Sequence, residues 1–251
     1  MIPFLLMTLA DISQPLPPPD RLRGCLMRAE SDPAKAAEEA TEWKAKGGGI
    51  DALRCLGTAE TNRGQFPAAA AAFESAADLA EKAQPANAPV FWTAAGNAAL
   101  AAGEAGRART LLTKALDHES LAGPFRGETL LDRGRADVQA GDPTGARADI
   151  DEALKLVPED PMAWLLSATL ARRQGEAERA EKDIAEAVRL APDAAQVALE
   201  AGNVAAMIGA DDAARVAWTR AVAADPSGEA GRAAQRALAG LDTSAKEAEP
   251  K

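Results

Sequence analysis

The sequence predicts an all-α chain assembled from short helical hairpins, and three observations carry that prediction. Alanine, the strongest helix former, fills 63 of 251 positions. Tyrosine is absent and aromatic residues make up only 4%, which disfavours a sandwich, a barrel or a large mixed sheet. Helix-breaking residues also recur at a fixed interval. Pro158, Pro192 and Pro226 lie 34 residues apart, as do Gly141, Gly175 and Gly209, and Ala146, Ala180 and Ala214. Alanine buries little area, so helices this rich in it suit thin layers packed closely together rather than one deep core.

Taken in chain order, residues 1–19 form an apolar N-terminus followed by the stiff connector QPLPPP. Ile2–Ala10 is too short to span a bilayer. It matches the apolar stretch of a secretory signal, with the small residues Thr8 and Ala10 before a cleavage point, but no Lys or Arg precedes it. Two readings stay open: export to the periplasm if the segment is a signal peptide, and the cytoplasm if it packs on the first helices. Leu22–Cys25 is no lipoprotein signal, because Arg23 interrupts it and prolines separate it from the apolar run.

Residues 20–240 hold the repeats. A weak first unit starts near Pro17 and contributes Gly24, Ala36, Ala40 and Trp43. The next starts near Ile50, with Leu56, Gly57, Gly64, Ala69, Phe73 and Ala76. A third starts near Pro89, with Trp92, Gly96, Gly103, Ala108, Leu112 and Ala115. Short insertions at 84–88 and 123–126 break the strict period. The unit from Pro161 to Ala194 shows the logic. Proline opens a helix over 162–173, Gly175 accepts a left-handed turn, and a second helix over 177–190 presents Ala177, Ala180, Ile184, Ala187 and Val188 on one face before Pro192 stops it. Each such hairpin has an apolar face that only its neighbours can cover. Residues 229–240 read as a final solvating helix, and residues 241–251 as a disordered polar tail.

This pattern resembles the tetratricopeptide repeat, a 34-residue helix–turn–helix unit. The resemblance rests on Trp92-x2-Ala95-Gly96, Leu53-x2-Leu56-Gly57 and Trp164-x2-Ser167-Ala168, continued by Ala69-x3-Phe73, Ala108-x3-Leu112, Ala146-x3-Ile150, Ala180-x3-Ile184 and Ala214-x3-Trp218. It implies a right-handed α-solenoid of about six repeats. The tyrosine slot of the family holds Ala99, Ala171, Ala205, Glu60 and Asp137 instead.

The net charge of −10 and a pI near 4.8 argue against a general nucleic-acid surface and against docking on anionic lipid. No phosphate loop, dinucleotide fingerprint or HExxH is present. The single histidine, His118, reads as a surface residue at a helix C-terminus, and the numerous carboxylates, among them Asp142, Asp149 and Asp151, as solvated faces and caps. No catalytic, cofactor or metal residues are assigned. The four tryptophans read as core. Cys25 and Cys55 fall on first helices of adjacent units. Packed helices lie about 8–10 Å apart and a disulfide needs Cα atoms within about 7 Å, so two free thiols are the expected state, with a bridge between them the alternative if the chain is exported to an oxidising compartment.

In the family that the chain resembles, the first helix of each unit lines a concave groove for peptides or partner helices. Carried over by slot, this implies partner-binding residues Asn97, Leu131, Arg135, Leu165, Leu166, Thr169, Arg172, Arg173, Leu199, Asn203 and Met207. Slots that would form a clamp for a chaperone tail hold Arg21, Cys25 and Cys55 instead. The function implied is a non-enzymatic scaffold for a protein or peptide partner. The alternatives are an exported accessory subunit of a bacterial cell-envelope assembly and an oligomerisation module.

Overall fold

A computed structural model of the chain describes residues 18–248, with side chains described from 20 to 241. The N-terminal apolar run and most of the proline connector lie outside the described residues. Two compact units divide at residue 102. The first contains α1 (Pro18–Ser31), α2 (Pro33–Ala45), α3 (Gly49–Asn62), α4 (Phe66–Ala83), a 3-10 turn (Pro85–Asn87) and α5 (Ala88–Ala101). The second contains α6 (Ala105–Leu116), α7 (Gly123–Ala140), α8 (Pro143–Leu156), α9 (Pro161–Gln174), α10 (Ala177–Leu190), α11 (Ala195–Met207), α12 (Asp211–Ala224) and α13 (Glu229–Ala248). Helices adjacent in sequence pack as antiparallel hairpins within each unit, and no strand occurs among the described residues.

The boundaries follow from local chemistry. Asp32, Asp142 and Asp160 cap α2, α8 and α9 by accepting the backbone N–H of Lys35, Gly145 and Met162 at 3.1, 2.9 and 2.8 Å, and a proline opens each of these helices. Gly141, Gly175 and Gly209 adopt φ of 80°, 76° and 76°, the left-handed turn that their 34-residue spacing demanded. The insertion at 123–126 lengthens α7 by a turn at its start, and the insertion at 84–88 becomes the 3-10 turn.

Packing is repetitive in the same way. Ala36, Ala69, Ala108, Ala146, Ala180 and Ala214 are all fully buried. Larger residues close each crossing: Phe73, Leu112, Ile150, Ile184 and Trp218 are buried as well. Trp43 and Trp92 are also core, whereas Trp164 is only half-buried, with its indole N–H donating to the Pro158 carbonyl at 2.7 Å.

Besides the placement of Trp164, three expectations change. Cys25 and Cys55 form a disulfide with Cα atoms 6.0 Å apart. The expectation of free thiols equated axis spacing with Cα spacing. Each Cα sits about 2.3 Å off its helix axis, so residues on facing sides of α1 and α3 come within bridging range. Asp149 is buried rather than solvated. Finally, α13 continues to Ala248, so the tail boundary at 240 falls inside a helix.

Candidate partner-binding face

In the second unit the first helices α7, α9 and α11 pack in sequence, α7 on α9 and α9 on α11. Their contact removes part of the expected face from solvent. Leu131 is 2% exposed and Leu165 is 9% exposed. Leu165 belongs to the core formed with Ala168, Ile184, Val197 and Val204. Leu199 is half-buried against the cluster around Ala198, Trp218 and Ala234. Leu166 and Thr169 are half-buried, while Arg173 and Met207 are exposed. Arg135 is tied to Asp132 at 2.6 Å. Asn97 lies in the first unit, on the exposed side of α5.

A polar chain joins α9, α11 and α12. Arg172 donates through Nε and Nη2 to Glu200 at 2.6 and 3.3 Å. Asn203 Nδ2 donates to Glu200 at 3.0 Å, and the Trp218 indole N–H donates to Asn203 Oδ1 at 3.1 Å. Glu200 is buried, and a buried carboxylate needs such partners. Arg172 and Asn203 are therefore engaged within the fold, and Arg173 is the arginine of this pair that is exposed and has no ion pair among the described residues. Arg172 and Glu200 lie 28 residues apart on successive first helices, a pairing that slot-by-slot reading does not reveal.

A second polar seam runs between hairpins. Arg133 binds Asp149 through two contacts of 2.7 Å and donates to Thr113 at 3.2 Å. One repeat later, Arg147 donates to the Ser167 hydroxyl and carbonyl at 2.8 and 3.0 Å, and Ser167 donates to buried Asp183 at 2.5 Å. The cation has moved from the first helix to the preceding second helix, while the aspartate keeps its slot. The hydrogen bond to Asp149 raises the pKa of Arg133 further above its ordinary range.

Asp137 fills the family's tyrosine slot and is 2% exposed. Arg109 Nε lies 3.0 Å from its Oδ1, and the same guanidinium reaches Asp142 at 3.0 Å. Burial raises the pKa of Asp137; the Arg109 cation opposes the rise, Asp149 and Asp142 add to it, and Arg133 opposes it. Asp142 shifts the opposite way, chiefly because its carboxylate accepts the Gly145 N–H. The signs follow by linkage. A raised folded-state pKa at Asp137 stabilises the fold at acid pH, and that contribution is lost as pH rises through the folded value. Asp142 stabilises above the ordinary carboxylate range, and this is lost as pH falls. Asp137→Asn deletes only the first effect. The melting temperature of the variant minus that of the wild type is expected to increase between about pH 4 and pH 7, the range above an ordinary carboxylate. A difference that is flat or falls with pH would show that burial does not govern this carboxyl group.

Among the described residues no group of His, Cys, Asp and Glu is placed to hold a metal ion, and no helix is long and apolar enough to cross a membrane.

The family model described as tetratricopeptide repeat matches residues 131–186 and 165–229. No curated protein matches the sequence. Among solved structures, the chain is similar to the Cut9–Hcn1 APC/C hetero-tetramer at 16% identity and TM-score 0.68, over 91% of this chain and 42% of that one. It therefore spans less than half of that chain's length. PilF of Pseudomonas aeruginosa aligns at 16% identity and TM-score 0.66, over 87% of this chain and 98% of that one. YrrB, described as a TPR protein with an unusual peptide-binding site, aligns at 18% identity and TM-score 0.55, over 80% and 99%. At these identities the likeness is one of fold. The repeat match and the hairpin architecture agree: residues 131–229 carry tetratricopeptide repeats, and the chain as a whole has the fold of tetratricopeptide-repeat proteins.

Proposed function

We propose that this protein is a non-enzymatic adaptor that holds a protein or peptide partner along the first-helix face of α7, α9 and α11. The observation that carries the reading is Arg173, an exposed cation at the end of α9 without an ion pair among the described residues, one and two turns on from half-buried Thr169 and Leu166 and one repeat before exposed Met207. A helix or an extended peptide lying there would bury Leu166 and Met207 and place an acidic side chain against Arg173. The peptide-binding site named for YrrB supports this use of the fold. The bridge between Cys25 and Cys55 favours, as a second feature of the reading, an oxidising compartment such as the periplasm. Determination of the mature N-terminus by mass spectrometry separates export, with a start at Asp11, from an intact Met1.

Variants at Leu131 or Leu165 do not test the face, because a charge at either would be buried in the fold. The informative variant is Arg173→Glu with Met207→Glu, both at exposed positions. Quantitative affinity purification is expected to lose its specific partner by tenfold or more, about 1.4 kcal/mol, at an unchanged circular dichroism spectrum. Equal recovery of every partner by the folded double variant would mean that the face is not used.

A further inference from the structure

The disulfide of the first unit lies beside a recess between α1 and α2. Gly24 and Cys25 of α1 and Trp43 of α2 form part of its lining, around a volume of about 250 Å³. The two sulfurs are not equivalent with respect to it. Cys25 lines the recess and is 7% exposed, whereas Cys55 on α3 takes no part in the lining and is 0% exposed. Cys55 is enclosed in the apolar cluster with Ala40, Trp43 and Ala52. A small reagent arriving from solvent therefore meets Cys25 and not Cys55.

The recess is open and carries a cation suited to one class of reagent. Gly24 places no side chain in it, and a Cβ at that position would have no heavy atom within 4 Å. Arg21 and Arg28 line it as well. They stand four residues before and three residues after Cys25, so they share its helix face. Arg28 is engaged by Glu39. Arg21 lies over the Trp43 ring, 4.5 Å from its centroid, and has no ion pair among the described residues. Of the three carboxylates in the lining, Glu39 is taken by Arg28 and Glu42 faces Lys46 at 3.6 Å, which leaves Asp20. The nucleophile of disulfide exchange is a thiolate, and a neighbouring cation favours that form.

We propose that the Cys25–Cys55 bridge is a modification site, opened in the folded chain by a small thiol that enters this recess and attacks Cys25 Sγ. A bond forms between the incoming sulfur and Cys25 Sγ as the Cys25–Cys55 bond breaks. The electron pair leaves on Cys55 Sγ, which takes a proton. A second thiolate attacks the sulfur now attached to Cys25 and releases the Cys25 thiolate. Two thiols are thereby oxidised to one small disulfide, and the bridge gains the two electrons. The rate of such exchange depends on which sulfur is attacked and on access to it, and the recess supplies both. Opening the bridge unfastens α1 from α3, so the site is a redox switch on α1, in a different unit from the α7–α9–α11 face.

The test follows bridge opening in the full, folded protein by dithiothreitol, whose second thiol resolves the mixed disulfide internally. Alkylation with N-ethylmaleimide and mass spectrometry read the product. The rate is expected to rise in proportion to dithiothreitol and to be unchanged by urea well below the unfolding transition, as attack on the folded chain requires. Gly24→Trp places an indole in the recess and should slow opening by about tenfold, because exchange depends on access to the attacked sulfur. Gly24→Ala has at least as large a gain in helix propensity but leaves the recess open, and should react like wild type. Cys25 and Cys55 fall on separate tryptic peptides, residues 24–28 and 55–63. With 2-mercaptoethanol as the reagent, protein caught as a mixed disulfide by acid quenching should carry it on residues 24–28. The proposal is overturned by equal rates in Gly24→Trp and wild type, by equal slowing in Gly24→Ala and Gly24→Trp, by a rate that saturates with dithiothreitol, or by a mixed disulfide on residues 55–63. None of these measurements involves a partner protein, so the adaptor reading stands or falls separately.

Discussion

Reducing the Cys25–Cys55 bridge is expected to lower the stability of the first unit by about 3–4 kcal/mol, the chain-entropy value for a loop of this length. The bridge joins residues 30 apart in sequence. What else holds α1 is slight. Besides buried Cys25 and Ala29, it offers only half-buried Leu22 to the cluster of Trp43, Ala52 and Cys55 and the Ala29 carbonyl to one hydrogen bond from Asn62, and Ala29 itself carries little apolar area. The Arg28–Glu39 ion pair is about 40% exposed on both sides and contributes less than about 1 kcal/mol. Arg21 lies 4.5 Å from the centroid of the Trp43 ring, a contact worth about 1 kcal/mol at an exposed site. Without the bridge, α1 therefore separates from α2 and α3 before the rest of the unit unfolds. Hydrogen exchange of the reduced protein and of Cys25→Ala/Cys55→Ala should show early loss of protection in α1, with α7–α12 unchanged, and denaturant unfolding should register the lowered stability. Equal protection of α1 with and without the bridge would show that packing alone suffices to hold it.

The legible part of this molecule is its backbone. A turn that needs a left-handed residue must recur in every hairpin, so Gly141, Gly175 and Gly209 announce themselves by spacing, and the fully buried alanines do so for the same reason. The candidate face was less legible. Leu131, Leu165 and Leu166 all read as lining residues, yet whether one is covered depends on how the next first helix lies across it. Arg172 and Glu200 have no distinguishing spacing until the repeat offset between α9 and α11 is known. Asp149 and Asp183 repeat at 34 residues, and that periodicity marks a buried slot, since a solvated face has no reason to keep one charge in register. The disulfide was hidden by geometry alone, because helix spacing does not fix where two facing Cα atoms lie.

The slot under each bulky core residue makes the second large effect. Gly57, Gly134, Ala168 and Gly202 occupy equivalent positions and face Phe73, Ile150, Ile184 and Trp218. A Cβ on Gly202 would lie 2.3 Å from Trp218 Cδ1, whereas on Gly134 it would lie 3.2 Å from Ile150 Cγ1. The indole cannot readily withdraw. It is 6% exposed, and its N–H holds Asn203, which in turn supports Glu200. Gly202→Ala should therefore cost about 3 kcal/mol from overpacking, offset by about 1 kcal/mol gained from replacing glycine inside a helix, a net loss of about 2 kcal/mol. Gly134→Ala meets Ile150 Cγ1 at a separation that a shift of a few tenths of an ångström relieves, so the helix gain of about 1 kcal/mol should balance or exceed the strain. The pairing of Ala168 with Ile184 supplies the control. Trp218→Ile alone leaves a cavity and should destabilise, but combined with Gly202→Ala it recreates a pair already present one repeat earlier. The double variant should then be more stable than the sum of the single changes by at least about 1 kcal/mol, a coupling typical of residues in contact. Chemical denaturation of the four proteins measures that coupling, and a value near zero would show that the glycine is not there to seat the tryptophan.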